Sequence, residues 1–472
     1  MINGVMKPYS LIGDGYFEPL KEYVIAATGL SYYRNRNGEL IDHFERHVAN
    51  VGLTDCLSYL QLLQSGPAGD GELDSLIEDL TIGETFFFRH TDLFAALERT
   101  ILPDAIDRNK HHRRLRIWSA GSSIGAEAYT ISILLRRHFA EELRDWEISI
   151  VGTDINRSFL FRAAQAQFEE WTLRGVSEDT RRACFTQCDN VWTLRPEFKS
   201  GVSFAYHNLA RHPFPSMLHN LFAFDVILFR NVMIYFGQDA LTSIIANMRR
   251  CLIDGGWLLV GHSEHNQELF REFRTVNFDG AIAYQRADGD PGAVSGPSCR
   301  RPILSAFAEF PHPAVSQPSA ARQHISTRRF SLKERPQQKS DGGIDLTEIR
   351  TLADRGEIEQ ADIQCRKIIR TQKLNPVGHL YHALILEQLG QHALSEHALR
   401  RAIYLDRRFV LAHYYLGMTL QRMGRNAEAK QSFHNTRQLL EELDSRTEID
   451  NSDGLTVAEL DELTQMQQGA LK

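Results

Sequence analysis

Apolar positions along this chain change period several times, and each change marks a different kind of element. Through residues 1–80 they recur every three to four places. Phe17, Leu20, Tyr23, Val24 and Ala27 share one face, Leu40, Phe44, Val48 and Val51 a second, and Leu57, Leu60 and Leu63 a third. Such stripes predict helices, with Gly29 and Gly52 placed to end the first two. From 81 to 286 short unbroken apolar runs alternate with helical periods. Leu115–Ala120, Trp146–Val151, Asp225–Phe229 and the run WLLVG predict buried strands, with a helix over 240–252 between the last two. In Leu115–Leu135 the order is strand, glycine turn, helix, the opening unit of a doubly wound α/β sheet. Val191–Leu194 and Val202–Tyr206 instead alternate with period two, which predicts a small antiparallel insertion at about 181–207. Phe273–Phe278 and Ala281–Gln285 predict a closing hairpin through Asp279-Gly280.

Over 287–343 the periodicity stops. Seven prolines fall there, among them Pro311, Pro313 and Pro318, and the stretch predicts a disordered linker in which Ile303–Phe310 is apolar enough to dock. Beyond it Gly356, Gly390 and Gly424 stand 34 residues apart. Leu352, Leu386 and Leu420 keep the same register, as do Leu346, Leu380 and Tyr414. That period is the tetratricopeptide signature, so 344–442 predicts three stacked helix pairs whose concave face suits a peptide. Residues 443–472 form an acidic tail, with one further helix expected over Leu455–Leu463.

Composition narrows the function classes. A net charge of −7 gives no support for nucleic-acid binding, and no apolar run is long enough to insert in a membrane. The N-terminus lacks a secretory pattern, and the six cysteines form no CxxC pair, so a cytoplasmic location is expected. No metal site is expected; His262 and His265 have no further ligand cluster.

The candidate chemistry gathers at strand ends. Gly121 and Gly125 bracket Ser122 and Ser123, leaving a backbone bare enough for a ligand to approach. Asp154 ends the second strand, where it would meet a ribose diol, with Asn156 as the next helix cap. No GxGxxG is present, which favours a nucleoside such as S-adenosylmethionine over a dinucleotide. The tip of the 225–229 strand delivers Arg230, Asn231 and Tyr235 to the same side. In LTIGETFFFRHTDLF, Thr85 and Arg89 are four apart, on one side if helical, around Phe86–Phe88.

Taken together, GETFFFR, SAGSSIGAEAY, GTDI, NL and FRNVMIYF resemble, in order, the motifs of the CheR family of chemoreceptor glutamate methyltransferases. With its repeats, the chain resembles the WspC-like subtype. The resemblance implies a class I (Rossmann-like) methyltransferase over 81–286 behind an N-terminal helical subdomain (1–80), followed by the all-α repeats. It implies S-adenosylmethionine as cofactor, S-adenosylhomocysteine as product, and as partner the cytoplasmic helical region of a methyl-accepting chemoreceptor. A peptide or protein partner is expected on the repeats. Arg89 and Tyr235 are then expected near the transferred methyl. Thr85, Arg89, Gly121, Glu127, Asp154, Asn208, Leu209, Arg230 and Asn231 are expected to bind the cofactor. The chain departs from the pattern at Gly83, Ala126 and Ala128, where the family has asparagine, glutamate and proline; weaker cofactor binding is expected at most.

Two other readings stand beside this one, a methyltransferase on another substrate and a scaffold acting through its repeats. The linker, at ~5–6 Å × √n, would span about 40 Å, so the repeats are expected to recruit rather than to build the site.

Overall fold

A computed structural model describes residue 11, residues 13–287 and residues 346–471. The expected linker, with Ile303–Phe310, lies outside them apart from Ala287. Four helices open the described chain: Phe17–Thr28, Asn37–Asn50, Cys56–Leu63 and Pro67–Leu80. Phe17, Leu20, Phe44, Tyr59, Leu63 and Leu80 close a core of their own between them. The fourth helix escaped the periodicity because Gly69 and Gly71 dilute its first turns; its local signal is Pro67 at the first position.

Ten strands follow: β1 (Arg114–Ala120), β2 (Glu147–Asp154), β3 (Gln167–Glu169), β4 (Phe185–Cys188), β5 (Val191–Leu194), β6 (Val202–Tyr206), β7 (Phe224–Phe229), β8 (Leu252–Val260), β9 (Arg274–Phe278) and β10 (Ala281–Gln285). Seven make one sheet in the order β6-β2-β1-β7-β8-β10-β9, parallel except for the β8-β10-β9 end. From β1 the chain moves outward to β2 and β6, and then returns to β7 on β1's other side. The strand order therefore reverses between β1 and β7, which opens a crevice at their carboxyl ends.

The small antiparallel sheet is β3-β5-β4, spanning 167–194, so the insertion expected at about 181–207 is displaced toward the N-terminus. β6 belongs to the main sheet and pairs in parallel with β2, Ile150 opposite Val202 through Asp154 opposite Tyr206. It is an edge strand covered mainly at Phe204, so it alternates as an antiparallel strand would.

Three helix pairs form the repeats: Leu346–Asp354 with Ile358–Thr371, Pro376–Gln388 with His392–Leu405, and Val410–Arg422 with Asn426–Leu440. Gly356, Gly390 and Gly424 make the three turns within pairs at φ 82°, 67° and 73°, a conformation that suits glycine. The acidic tail carries the further helix expected over Leu455–Leu463, running instead over Val457–Ala470 and started by a capping box of Thr456 and Glu459.

Repeats and methyltransferase half belong to one compact unit, so the loosely tethered arrangement expected from the linker is corrected. The first helix of each pair meets the loop before β7. Arg116, on β1 and 3% exposed, donates to Gln388 Oε1 at 2.9 Å and to Asn220 O and Oδ1 at 2.9 and 2.8 Å. The Tyr415 hydroxyl donates to Leu218 O, Ser216 donates to Asp453 at 2.8 Å, and Arg350 pairs with Asp453. At these positions the repeat face expected to take a peptide is held against the chain's own loop. The docking supplies acceptors for the buried Arg116 guanidinium, from Gln388 of the repeats and Asn220 of the loop.

Candidate functional site

A cavity of about 320 Å³ lies in the crevice between β1 and β7. That volume is at the lower end for small-molecule sites. The turn after β1 forms its floor. Gly121 sits at φ 75°, and a Cβ there would come within 2.4 Å of Val232 Cγ2, so only glycine lets the two strand tips close on each other. The Gly121 and Ser122 N–H groups both donate to Thr153 O, at 2.8 and 2.9 Å, which locks the turn to β2.

Asp154 stands at the tip of β2, half-buried in the cavity wall. Its Oδ2 accepts from the Ser123 N–H at 2.8 Å and its Oδ1 from the Asn156 N–H at 2.9 Å. Burial pushes its carboxyl above the usual range, and these donors oppose that. Next along, Asn156 caps the Arg157–Gln165 helix through Phe159 N and donates to Thr81 Oγ1 at 2.8 Å.

Across the crevice, Glu127 accepts from Ser119 Oγ at 2.8 Å and pairs with Arg230 at 2.7 Å. Arg230 also donates to the Arg89 carbonyl at 2.5 Å. Asn231, at φ 59°, turns the chain after β7, and Glu264 holds that turn by accepting from the Asn231, Met233 and Gly261 N–H groups at 2.7, 2.9 and 2.8 Å.

Thr85 and Arg89 both face the cavity, although not on a helix; Phe88 and His90 have positive φ and the segment loops. Arg89 donates to Glu84 O at 2.8 Å, and burial first, then Arg230, lowers its affinity for its proton. Phe87 is fully buried, packed edge-on against Phe168 and Phe185, whereas Phe86 reaches the cavity with the Arg174 guanidinium 3.6 Å from its ring. Tyr235 lies edge-on to Tyr32, ring centres 5.9 Å apart.

Asn208 presents little side-chain chemistry. Its amide is taken up by Ala27 O and the Ala210 N–H, both at 3.0 Å, so it contributes backbone beside Leu209. Gly83 packs under Phe159, where a Cβ would approach the ring to 2.6 Å. Ala126 and Ala128 are fully buried in the core. The cavity thus brings together all ten singled-out residues, from Thr85 to Tyr235. Sequence reasoning named Asn156 as a helix cap, which it is, and placed Ser122 and Ser123 in the glycine turn without giving them contacts; it gave Glu264 no role. An acid four residues beyond the end of β8 was the available signal for Glu264.

These residues fit S-adenosylmethionine. Leu30, Ile155, Phe159 and Leu209 give an apolar slot, Asp154 a fixed carboxylate for a diol, and the Ser122 hydroxyl is buried without a partner among the described residues. A sheet that is parallel up to an antiparallel β8-β10-β9 end, with this crevice and an acid at the second strand's tip, is the architecture of a class I methyltransferase.

Residues 83–282 match the family described as CheR methyltransferase, SAM binding domain. The chemotaxis protein methyltransferase of Borreliella burgdorferi is 30% identical over 216 residues, 45% of this chain and 75% of that one. Chemotaxis protein methyltransferase Cher2 of Pseudomonas putida is 27% identical over 277 residues, 58% of this chain and 98% of its own. The probable biofilm formation methyltransferase WspC of the same species is 27% identical over 381 residues, 79% and 86%. This chain belongs to the CheR family and is an S-adenosylmethionine-dependent methyltransferase.

Proposed function

We propose that the enzyme transfers the cofactor's methyl group to glutamate side chains of a chemoreceptor, giving methyl esters in a chemotaxis-like or surface-sensing pathway. Arg89 and Asp154 lining one cavity is the observation that carries this reading. Asp154 suits a nucleoside and Arg89 a carboxylate. Bound S-adenosylmethionine supplies a sulfonium-activated methyl group.

The residues then have little acid–base work. A substrate glutamate ionises near pH ~4.3 and is a carboxylate nucleophile at neutral pH without a base. Arg89 orients that carboxylate, Tyr235 and Phe86 exclude water from it, and Asp154 with the Gly121 turn fixes the nucleoside. Arg230 is held by Glu127, so it shapes the pocket rather than meeting substrate. Support for a receptor substrate comes from the relatives, which are chemotaxis protein methyltransferases.

The test is methyl transfer from labelled cofactor to a receptor fragment, followed by alkaline release of the label and mass mapping of the glutamates. Label that withstands alkali would reject carboxyl methylation.

A further inference from the structure

The repeats end in a helix that touches the methyltransferase where its cofactor cavity is walled. On Val457–Ala470, Glu459, Glu462 and Met466 fall on one face at spacings of three and four. Met466 packs on the main core of the sheet. Arg437 ties this helix back to the last repeat helix through Asp461 at 2.8 Å.

Two links run from that face to the cavity. Glu459 Oε1 meets His212 Nε2 at 3.0 Å, and His212 Nδ1 accepts the Asn208 N–H at 3.3 Å. The second contact requires an unprotonated Nδ1, so Nε2–H donates to the carboxylate. Both side chains are largely buried, at 16% and 17% exposed, where such a chain of hydrogen bonds is least disturbed by water. Glu462 pairs with Arg157, which also binds Asp74 at 3.0 Å and lies 3.7 Å over the Tyr206 ring. Tyr206 is the residue opposite Asp154 in the β2–β6 register, and the next N–H, of His207, donates to Asp154 O at 3.1 Å. One helix thus braces both strand-tip loops that carry Asp154 and Asn208–Leu209.

We infer that Glu459 and Glu462 are positioning residues for the cofactor site, so that the repeat half of the chain sets the affinity of the methyltransferase half for S-adenosylmethionine. This rests on reading Asp154 and Asn208–Leu209 as walls of that site. Neither glutamate touches the cavity; each acts through a residue of the methyltransferase. The repeats are therefore a fixed part of the enzyme's framework, and displacement of their last helix loosens cofactor binding.

The experiment uses the full chain and measures S-adenosylmethionine affinity by calorimetry together with kcat and KM for the cofactor. Glu459→Ala should raise Kd about tenfold, the scale of one lost charge-assisted hydrogen bond, with kcat at saturating cofactor nearly kept. Thr456→Ala, which breaks the same capping box without reaching His212, should leave Kd within about twofold. His212→Asn keeps an acceptor for the Asn208 N–H and loses the reach to Glu459. It should match Glu459→Ala, and the double variant should add nothing further. This variant also carries the test if Glu459→Ala does not fold. Wild-type Kd in both variants, while Asp154→Ala binds poorly, overturns the inference alone. So does a Thr456→Ala defect equal to that of Glu459→Ala, which would make the effect one of helix stability. Wild-type binding by Asp154→Ala overturns the cofactor-site reading beneath it.

Discussion

Glu127 and Arg230 meet at 2.7 Å with side chains 14% and 2% exposed, tying the helix after β1 to the tip of β7 across the crevice. Removing one partner strands the other charge in a buried place. Arg230→Ala should therefore cost about 3–5 kcal/mol of stability in urea unfolding, and cofactor binding should fall with it. Glu127→Gln, which keeps shape and an acceptor, should cost less. A loss below ~1 kcal/mol for Arg230→Ala would show that the pair is not structural.

Arg89 and Tyr235 should behave the other way. Both are only half-buried, and the Arg89 guanidinium donates to the carbonyl of an exposed residue, Glu84. Arg89→Ala and Tyr235→Phe should keep Tm within a few degrees and lower methyl transfer at least ~10-fold, about 1.4 kcal/mol of barrier. Wild-type turnover in either would remove that residue from the reaction.

Gly83 gives a sharper test, because the family's asparagine stands there. A Cβ at 83 would press on the Phe159 ring at 2.6 Å, so Gly83 and Phe159 are matched in size. Gly83→Asn alone should thus weaken cofactor binding several-fold rather than restore a lost contact. Phe159 also lines the cofactor slot, so the comparison is with Phe159→Ala alone: adding Gly83→Asn to that variant should cost less affinity than it costs in the wild type, a coupling expected of residues in direct contact. Improved affinity in the single variant would contradict the packing argument.

What was legible in the sequence was local. Gly121, Asp154 and the 34-residue glycines announce themselves because each backbone turn needs a specific residue at a specific offset. The Thr85–Arg89 spacing pointed to the right wall for the wrong reason, since Phe88 and His90 in the left-handed region make it a loop. β6 was assigned to the wrong sheet because alternation reports half-burial, not the partner strand. The docking of the repeats was out of reach, since Arg116 and Gln388 are 272 residues apart and neither signals the other. Glu264 was visible as an acid after β8, but the three N–H groups it accepts come from two separate turns.

The contact between the C-terminal helix and the methyltransferase should also depend on pH, in a direction that can be worked out. Burial, with Asp74, Glu459 and Asp461 nearby, pushes the Glu462 carboxyl from 4.5 to about 7 against the pull of Arg157. Asp354, on the first repeat helix, is pushed from 3.8 to about 7 by burial and Asp453, against Arg350. In both cases the folded chain keeps a proton that the unfolded chain has released, so each group's contribution to stability falls as pH rises from its ordinary value to about 7. Glu459 is held at about 2 by His212 and Thr456, and its contribution is lost only in acid, outside this window. Buried histidines such as His207, whose protonation is disfavoured, push the whole-protein trend the opposite way, so the comparison must be between variant and wild type at each pH. Glu462→Gln and Asp354→Asn should each raise Tm relative to wild type by roughly 1–3 °C at pH 8 and by less at pH 5. A Tm difference that stays constant between pH 5 and 8 would show that these carboxyls do not titrate in the docked helix contact.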